Sequence, residues 1–147
     1  MQLLKPILLV EDDVVDASTV KQALQDLRVK NAVVHKNDGE EALEFLRDEK
    51  NPKPALVLLD LNMPKINGVE LLGIMRQDIR FQHIPVVVLT VSKYEQDKLD
   101  TFNLGVQGYI IKAVDYDAFL RATDIIIRYW MWNGIVEKER ETENAKL

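Results

Sequence analysis

The chain has 147 residues, 47% of them hydrophobic and 29% charged, the size and balance of one domain able to bury a full core. It contains no cysteine, which removes disulfides and thiolate metal sites, and its net charge of -5 opposes direct nucleic-acid binding in favour of a protein or small-ion partner. The start, Met1-Gln-Leu-Leu-Lys-Pro, runs straight into a strand with no signal peptide, and no apolar run approaches the roughly 18 residues of a membrane helix, so a soluble, cytoplasmic protein is expected.

Ile7-Leu8-Leu9-Val10 is the first apolar run, closed by Glu11-Asp12-Asp13, acids that also favour a helix start. Val20, Ala23, Leu24 and Leu27 then recur at helical spacing. Ala32-Val33-Val34-His35 is a weak second strand. Asp38 at an N-cap with Glu41 three residues later opens a helix that buries Ala42, Leu43 and Leu46, and Asn51-Pro52-Lys53-Pro54 ends it. Leu56 to Leu59 suit a strand buried on both faces, ended by Asp60. A loop with Pro64 and Gly68 turns the chain into a third helix carried by Val69, Leu72 and Met75.

Ile84-Pro85-Val86-Val87-Val88-Leu89 is a second buried β-branched run, and it ends at Thr90. The polar, weakly patterned segment from Lys93 to Asn103 is predicted to be the least stable helix, with Gly105 as punctuation. Tyr109-Ile110-Ile111 forms the last strand and stops at Lys112. The final helix, from about Asp115 to Trp132, has two apolar stripes: Phe119, Thr123, Ile126, Ile127 and Trp130 make one, and Ile125, Tyr129 and Trp132 the other. Covering a sheet needs only one stripe. Trp130 and Trp132 flank Met131 and cannot both face one side, so one is core and the other an interface aromatic. The folded domain is therefore 1–132, and 133–147 is a charged tail, mobile or interface-forming, after a break at Gly134. We expect a homodimer through this helix and tail.

Strand and helix alternate with short connections, which predicts an α/β fold, a right-handed, doubly wound, five-stranded parallel sheet with an extended C-terminal helix. Parallel topology brings the strand ends Glu11/Asp12, Asp60, Thr90 and Lys112 to one edge, where ligands bind in such sheets. Two carboxylates 4 Å apart repel by about 4 kcal/mol at an effective dielectric near 20, so a cation is needed among them. No His, Cys or amide cluster accompanies them, which fits a hard oxygen-liganded ion such as Mg²⁺. An aspartate beside Mg²⁺ and a lysine can be a nucleophile toward a phosphoryl group, with Thr90 donating a hydrogen bond to one of its oxygens.

The order of these residues resembles the receiver domain of two-component response regulators, over residues 5 to about 130. Asp60-Leu-Asn-Met-Pro-Lys-Ile-Asn-Gly68 matches the family's D-x-x-M-P-x-x-x-G loop. The resemblance implies a flavodoxin-like strand order 2-1-3-4-5, Asp60 as phosphoacceptor, and Lys112 as the lysine of the site. It implies Thr90 and Tyr109 as the switch pair, Thr90 moving toward the phosphoryl group and Tyr109 turning inward. Asp12, Asp60 and the backbone carbonyl of Asn62 would hold Mg²⁺, with Glu11 acting through water. Asp13 has no such role and reads as a helix-start acid. Within the family the chain is most similar to small stand-alone receivers that partner bacterial phytochrome histidine kinases, as its long final helix with Tyr129-Trp130 and short tail suggest. No output domain is expected to follow, so phosphorylation would change a surface, and a phosphoacceptor regulatory protein is expected rather than an enzyme acting on other substrates.

Two positions depart from the family pattern. Ala113 follows Lys112 where proline is usual, and a cis bond to alanine costs about 2.5 to 4 kcal/mol against about 0.5 to 1 for proline. Branched Val91 follows Thr90 where a small residue is common, which would restrict water or small phosphodonors. Asn62 and Ser92, each two residues after a site residue, are loop polars that could tune hydrolysis. His35 and His83 have no ligand-spaced partner and read as surface or loop residues. An alternative from the enzyme class, a Mg²⁺-dependent phosphatase with an aspartyl intermediate, wants a second acid where Asn62 stands. A flavodoxin-like phosphate or flavin binder would need a Gly/Ser/Thr-rich loop where Glu11-Asp12-Asp13 stand.

Overall fold

The computed structural model describes residues 4–63, 65–90, 104–112 and 115–139, and of Thr90 the backbone alone. Its elements in chain order are β1 (Ile7–Val10), α1 (Val14–Asp26), β2 (Val33–Lys36), α2 (Gly39–Arg47), β3 (Leu56–Asp60), α3 (Gly68–Gln77), β4 (Val86–Thr90), β5 (Gly108–Ile111) and α4 (Tyr116–Trp132). The strands form one sheet in the order β2-β1-β3-β4-β5, every neighbouring pair parallel, so the flavodoxin-like topology is borne out. The expected helix over Lys93 to Asn103 lies outside the described residues.

The continuous apolar runs are buried on both faces because each strand feeds two cores. Leu8, Val10, Val57, Leu59, Val86 and Val88 point toward α2 and α3. Their neighbours Ile7, Leu9, Leu56, Leu58, Val87 and Leu89 point toward α1 and α4. That alternation is the period-2 geometry of a strand. Edge strand β2 is only half-buried along its length, which accounts for its weak pattern.

Each of the four described helices opens on a side-chain cap worth about 1 kcal/mol. Asp13 accepts from the Asp16 amide, Asp38 from the Glu41 amide and Asp115 from the Asp117 amide, while Asn67 and Glu70 form a reciprocal capping box. Helix α2 ends at Arg47, before the prolines. Its last carbonyls are taken by side chains instead, Phe45 by Asn51 Nδ2 at 3.2 Å and Leu46 by Lys53 Nζ at 2.6 Å.

The two stripes of α4 separate as expected. Trp130 is buried with Phe119, Thr123 and Ile127, while Trp132 is 91% exposed beside exposed Ile125 and Tyr129. Of the tail expected to be mobile or interface-forming, the part through Glu139 packs back on the domain. Gly134 turns with φ +72°, which a side chain would disfavour, and returns Ile135 and Val136 to the α1/α4 core, Val136 being 2% exposed. Residues 137–139 then run antiparallel to 28–30, with Lys30 N donating to Glu137 O at 2.6 Å and Glu139 N to Arg28 O at 2.8 Å. Buried Asn31 ties the junction: its Nδ2 donates to Lys5 O and Ile135 O, and its Oδ1 accepts from Glu137 N. Composition reads this stretch as charged and solvated, but two apolar residues and one amide hold it. The rest of the tail, 140–147, lies outside the described residues.

Candidate functional site

Register builds the site. Val10 pairs with Leu59 and Thr90 with Ile111, so the residues just past these strand ends converge at one edge. Glu11 is 0% and Asp60 4% exposed, while Asp12 is exposed at the rim. Carboxylate oxygens of the three lie within 4.8 Å of one another. Lys112, one residue beyond β5, sets its ammonium among them: Nζ lies 2.7 Å from Glu11 Oε1 and 3.1 Å from Asp60 Oδ1. Two backbone amides also reach the cluster, the Asp13 amide donating to Glu11 Oε2 at 3.3 Å and the Asn62 amide to Asp60 Oδ1 at 3.4 Å.

The loop after Asp60 depends on a glycine. A Cβ on Gly68 would stand 2.4 Å from the Asp60 carbonyl oxygen and 2.6 Å from the Leu61 Cα. Gly68 N also donates to Leu61 O at 3.1 Å, so the start of α3 packs directly beneath the phosphoacceptor candidate. Any side chain there would displace the end of β3.

Burial pushes the Glu11 carboxyl up to about 7; the Lys112 ammonium pulls it down and the Asp60 carboxylate pushes it up again. Burial also pulls on Lys112, lowering it, but Glu11 and Asp60 outweigh that, and the ammonium is raised above its ordinary value. Glu11 Oε1 is buried and finds no hydrogen bond of good geometry, its contact with Lys112 being an ion pair. One ammonium among Glu11, Asp12 and Asp60 leaves the cluster short of positive charge, which fits a hard divalent cation, and these three carboxylates could hold one.

Two neighbours were not legible in the pattern. Asp16, on the first turn of α1, places Oδ2 3.2 Å from Lys112 Nζ. The one available signal is its position on the helix that opens immediately after the acidic strand end. His35 is no simple surface residue: half-buried on β2, it donates from Nε2 to the Glu11 carbonyl at 2.7 Å, while Lys21 Nζ stands 3.5 Å from its Nδ1. His83 is exposed as expected. Tyr109 is half-buried on β5 beside the α2/α3 core. The Thr90 side chain, Val91, Ser92 and Ala113 lie outside the described residues.

Comparison with known proteins identifies the family. Residues 7–124 match the response regulator receiver domain. The chain belongs to this family. It is 35% identical over 131 residues to response regulator Rcp1 of Synechocystis, spanning 86% of this chain and 89% of Rcp1. Among solved structures, the bacteriophytochrome response regulator AtBRR shares 39% identity with a TM-score of 0.74, over 84% of this receiver and 93% of AtBRR. The phosphorylated cyanobacterial phytochrome response regulator RcpA shares 36% identity with a TM-score of 0.77, over 88% and 95% of the two chains. The likeness to phytochrome response regulators expected from the final helix is therefore borne out. Rcp1 has been solved in a Mn²⁺-bound form, so a divalent cation is known in that relative. Among the described residues of this receiver, no helix is long and apolar enough to cross a membrane.

Proposed function

We propose that this receiver is a phosphoacceptor switch in which Asp60 takes a phosphoryl group from a sensor histidine kinase in a Mg²⁺-dependent reaction. The observation that carries the reading is a nearly buried Asp60 sharing one cluster with Glu11, Asp12 and the Lys112 ammonium. A carboxylate oxygen of Asp60 forms the bond to phosphorus while the P–N bond to the kinase histidine breaks. The imidazole leaves with the electron pair and is protonated by solvent. Lys112 supplies positive charge to a phosphoryl oxygen, and the Thr90 hydroxyl donates to another. Asp12, Asp60 and the Asn62 carbonyl would hold Mg²⁺, with Glu11 acting through water, and the bound ion would supply positive charge to the anionic site. Thr90 and Tyr109 then form the switch pair that changes the surface.

Similarity to AtBRR and RcpA supports a phytochrome histidine kinase as the phosphodonor. Exposed Ile125, Tyr129 and Trp132 support a homodimer through α4 and the chain after it. The decisive experiment is incubation with Mg²⁺ and acetyl phosphate, followed by intact mass. A base-labile phosphoryl adduct should form on the wild type and be absent from Asp60→Asn, and equal labelling of both would overturn the assignment. For the dimer, sedimentation at micromolar concentration should show Trp132→Ser shifted toward monomer. A wild type that is monomeric with and without phosphorylation would defeat it.

A further inference from the structure

We infer that Asp16 is a positioning residue of the phosphoryl-transfer site: it tethers the Lys112 ammonium to α1 and restrains its transfer to the incoming phosphoryl group. This rests on the phosphoacceptor reading above.

An ammonium has three N–H donors. Lys112 Nζ faces three carboxylate oxygens, Glu11 Oε1 at 2.7 Å, Asp60 Oδ1 at 3.1 Å and Asp16 Oδ2 at 3.2 Å. The first two partners belong to the strand ends that define the site. The third comes from a different layer, the first turn of α1, whose cap residue Asp13 accepts from the Asp16 backbone amide at 2.9 Å. Asp16 is thus fixed by its helix and reaches Lys112 from the solvent side, with its side chain 44% exposed against 18% for Lys112.

That position has two consequences for the transfer. A phosphoryl group arriving on Asp60 brings acceptor oxygens that need Lys112, and a bond to Asp16 must be given up before Lys112 serves them. Asp16 also adds a negative charge at the rim, which raises the barrier for an anionic donor. Both act in one direction. Removing the Asp16 charge should speed phosphorylation, and partial exposure keeps the effect modest.

The test uses the full chain with four variants: Asp16→Asn, Asp16→Ala, Asp16→Glu, and Asp13→Asn, which makes the same charge change one turn away, keeps a capping side chain and does not touch Lys112. Two readouts are taken: the Lys112 side-chain ¹⁵N–¹H ammonium signal without phosphodonor, and the labelling rate constant with Mg²⁺ and acetyl phosphate. Asp16→Asn and Asp16→Ala should broaden or shift the ammonium signal and raise the rate constant about threefold to tenfold. Asp16→Glu should return the rate toward wild type, and the salt dependence of the rate should weaken in Asp16→Asn. An unchanged ammonium signal, a slower rate in Asp16→Asn, or an equal gain in Asp13→Asn would each overturn the tether. If the wild type forms no adduct, the phosphoacceptor reading fails and the restraint of transfer falls with it, while the ammonium signal reports by itself whether Asp16 holds Lys112.

Discussion

Two partly buried cations, Arg76 and Lys112, hold this fold together at different places and in opposite ways. Arg76 at the end of α3 makes five hydrogen bonds, all to neutral acceptors: the carbonyls of Gln82, Ile84, Leu104 and Gly105 and the Gln107 side-chain oxygen. It stitches α3 to the approaches of β4 and β5, and burial alone lowers its pKa. Among the described residues, Lys112 faces three carboxylates, in excess of its own charge, and its pKa is raised despite burial. A guanidinium whose fork is fully used by four backbone carbonyls and one side-chain amide has nowhere better to go. An ammonium shared among competing anions can exchange partners at small cost, which is what a site awaiting another anion requires. The first arrangement is structural and the second is poised.

Replacing Arg76 by Met is the strongest challenge to that contrast. Urea denaturation should show a loss of about 2–4 kcal/mol as four carbonyls lose their donor, with the acetyl-phosphate labelling rate per folded molecule unchanged. A loss below about 0.5 kcal/mol would mean that water replaces the guanidinium, and the structural half of the comparison would go.

Glu11 probes the poised half. Its folded value of about 7 lies above the ordinary 4.5, so between those pH values the folded protein keeps a proton that the unfolded chain has released. Stability conferred by the neutral form is therefore present below 4.5, falls as pH rises and is lost above 7. In EDTA, Glu11→Gln should be more stable than wild type at pH 8 by about 1–3 kcal/mol, the gap closing toward pH 5. A gap independent of pH would show that Lys112 fully compensates the Glu11 charge.

The smallest effect sharpens the geometry. Arg76→Lys keeps the charge but not the fork, and should cost about 1–2 kcal/mol in the same denaturation assay. Equality with wild type would show that charge, not bond count, holds the 104–107 segment.

Much of this was legible from residue order. The acids ending two apolar runs and the lysine ending a third converge because parallel strands must end on one edge. The Asp38 and Asp13 helix-start acids and the opposite fates of Trp130 and Trp132, one buried and one exposed, follow from local spacing. Arg76 gives no such signal, since its acceptors lie 6 to 31 residues away and are mostly backbone carbonyls, which carry no residue identity. His35 on the Glu11 carbonyl is hidden for the same reason. The packing of 135–139 is hidden because charge dominates the tail's composition, while Val136 and the Asn31 side chain decide where it lies.

By itself, then, the amino-acid sequence determined the alternation of strand and helix, the two-faced core and the identity of the residues at the reactive edge, all consequences of short-range periodicity and of one topological rule. Only the tertiary structure decided how those residues share charge: that Lys112 answers to Asp16 as well as to Glu11 and Asp60, that Gly68 must be bare beneath Asp60, and that burial leaves Glu11 reluctant to ionise. Those outcomes depend on distances of 3 Å or so between side chains far apart in the chain, where hydrogen bonding and desolvation change steeply and periodicity is silent.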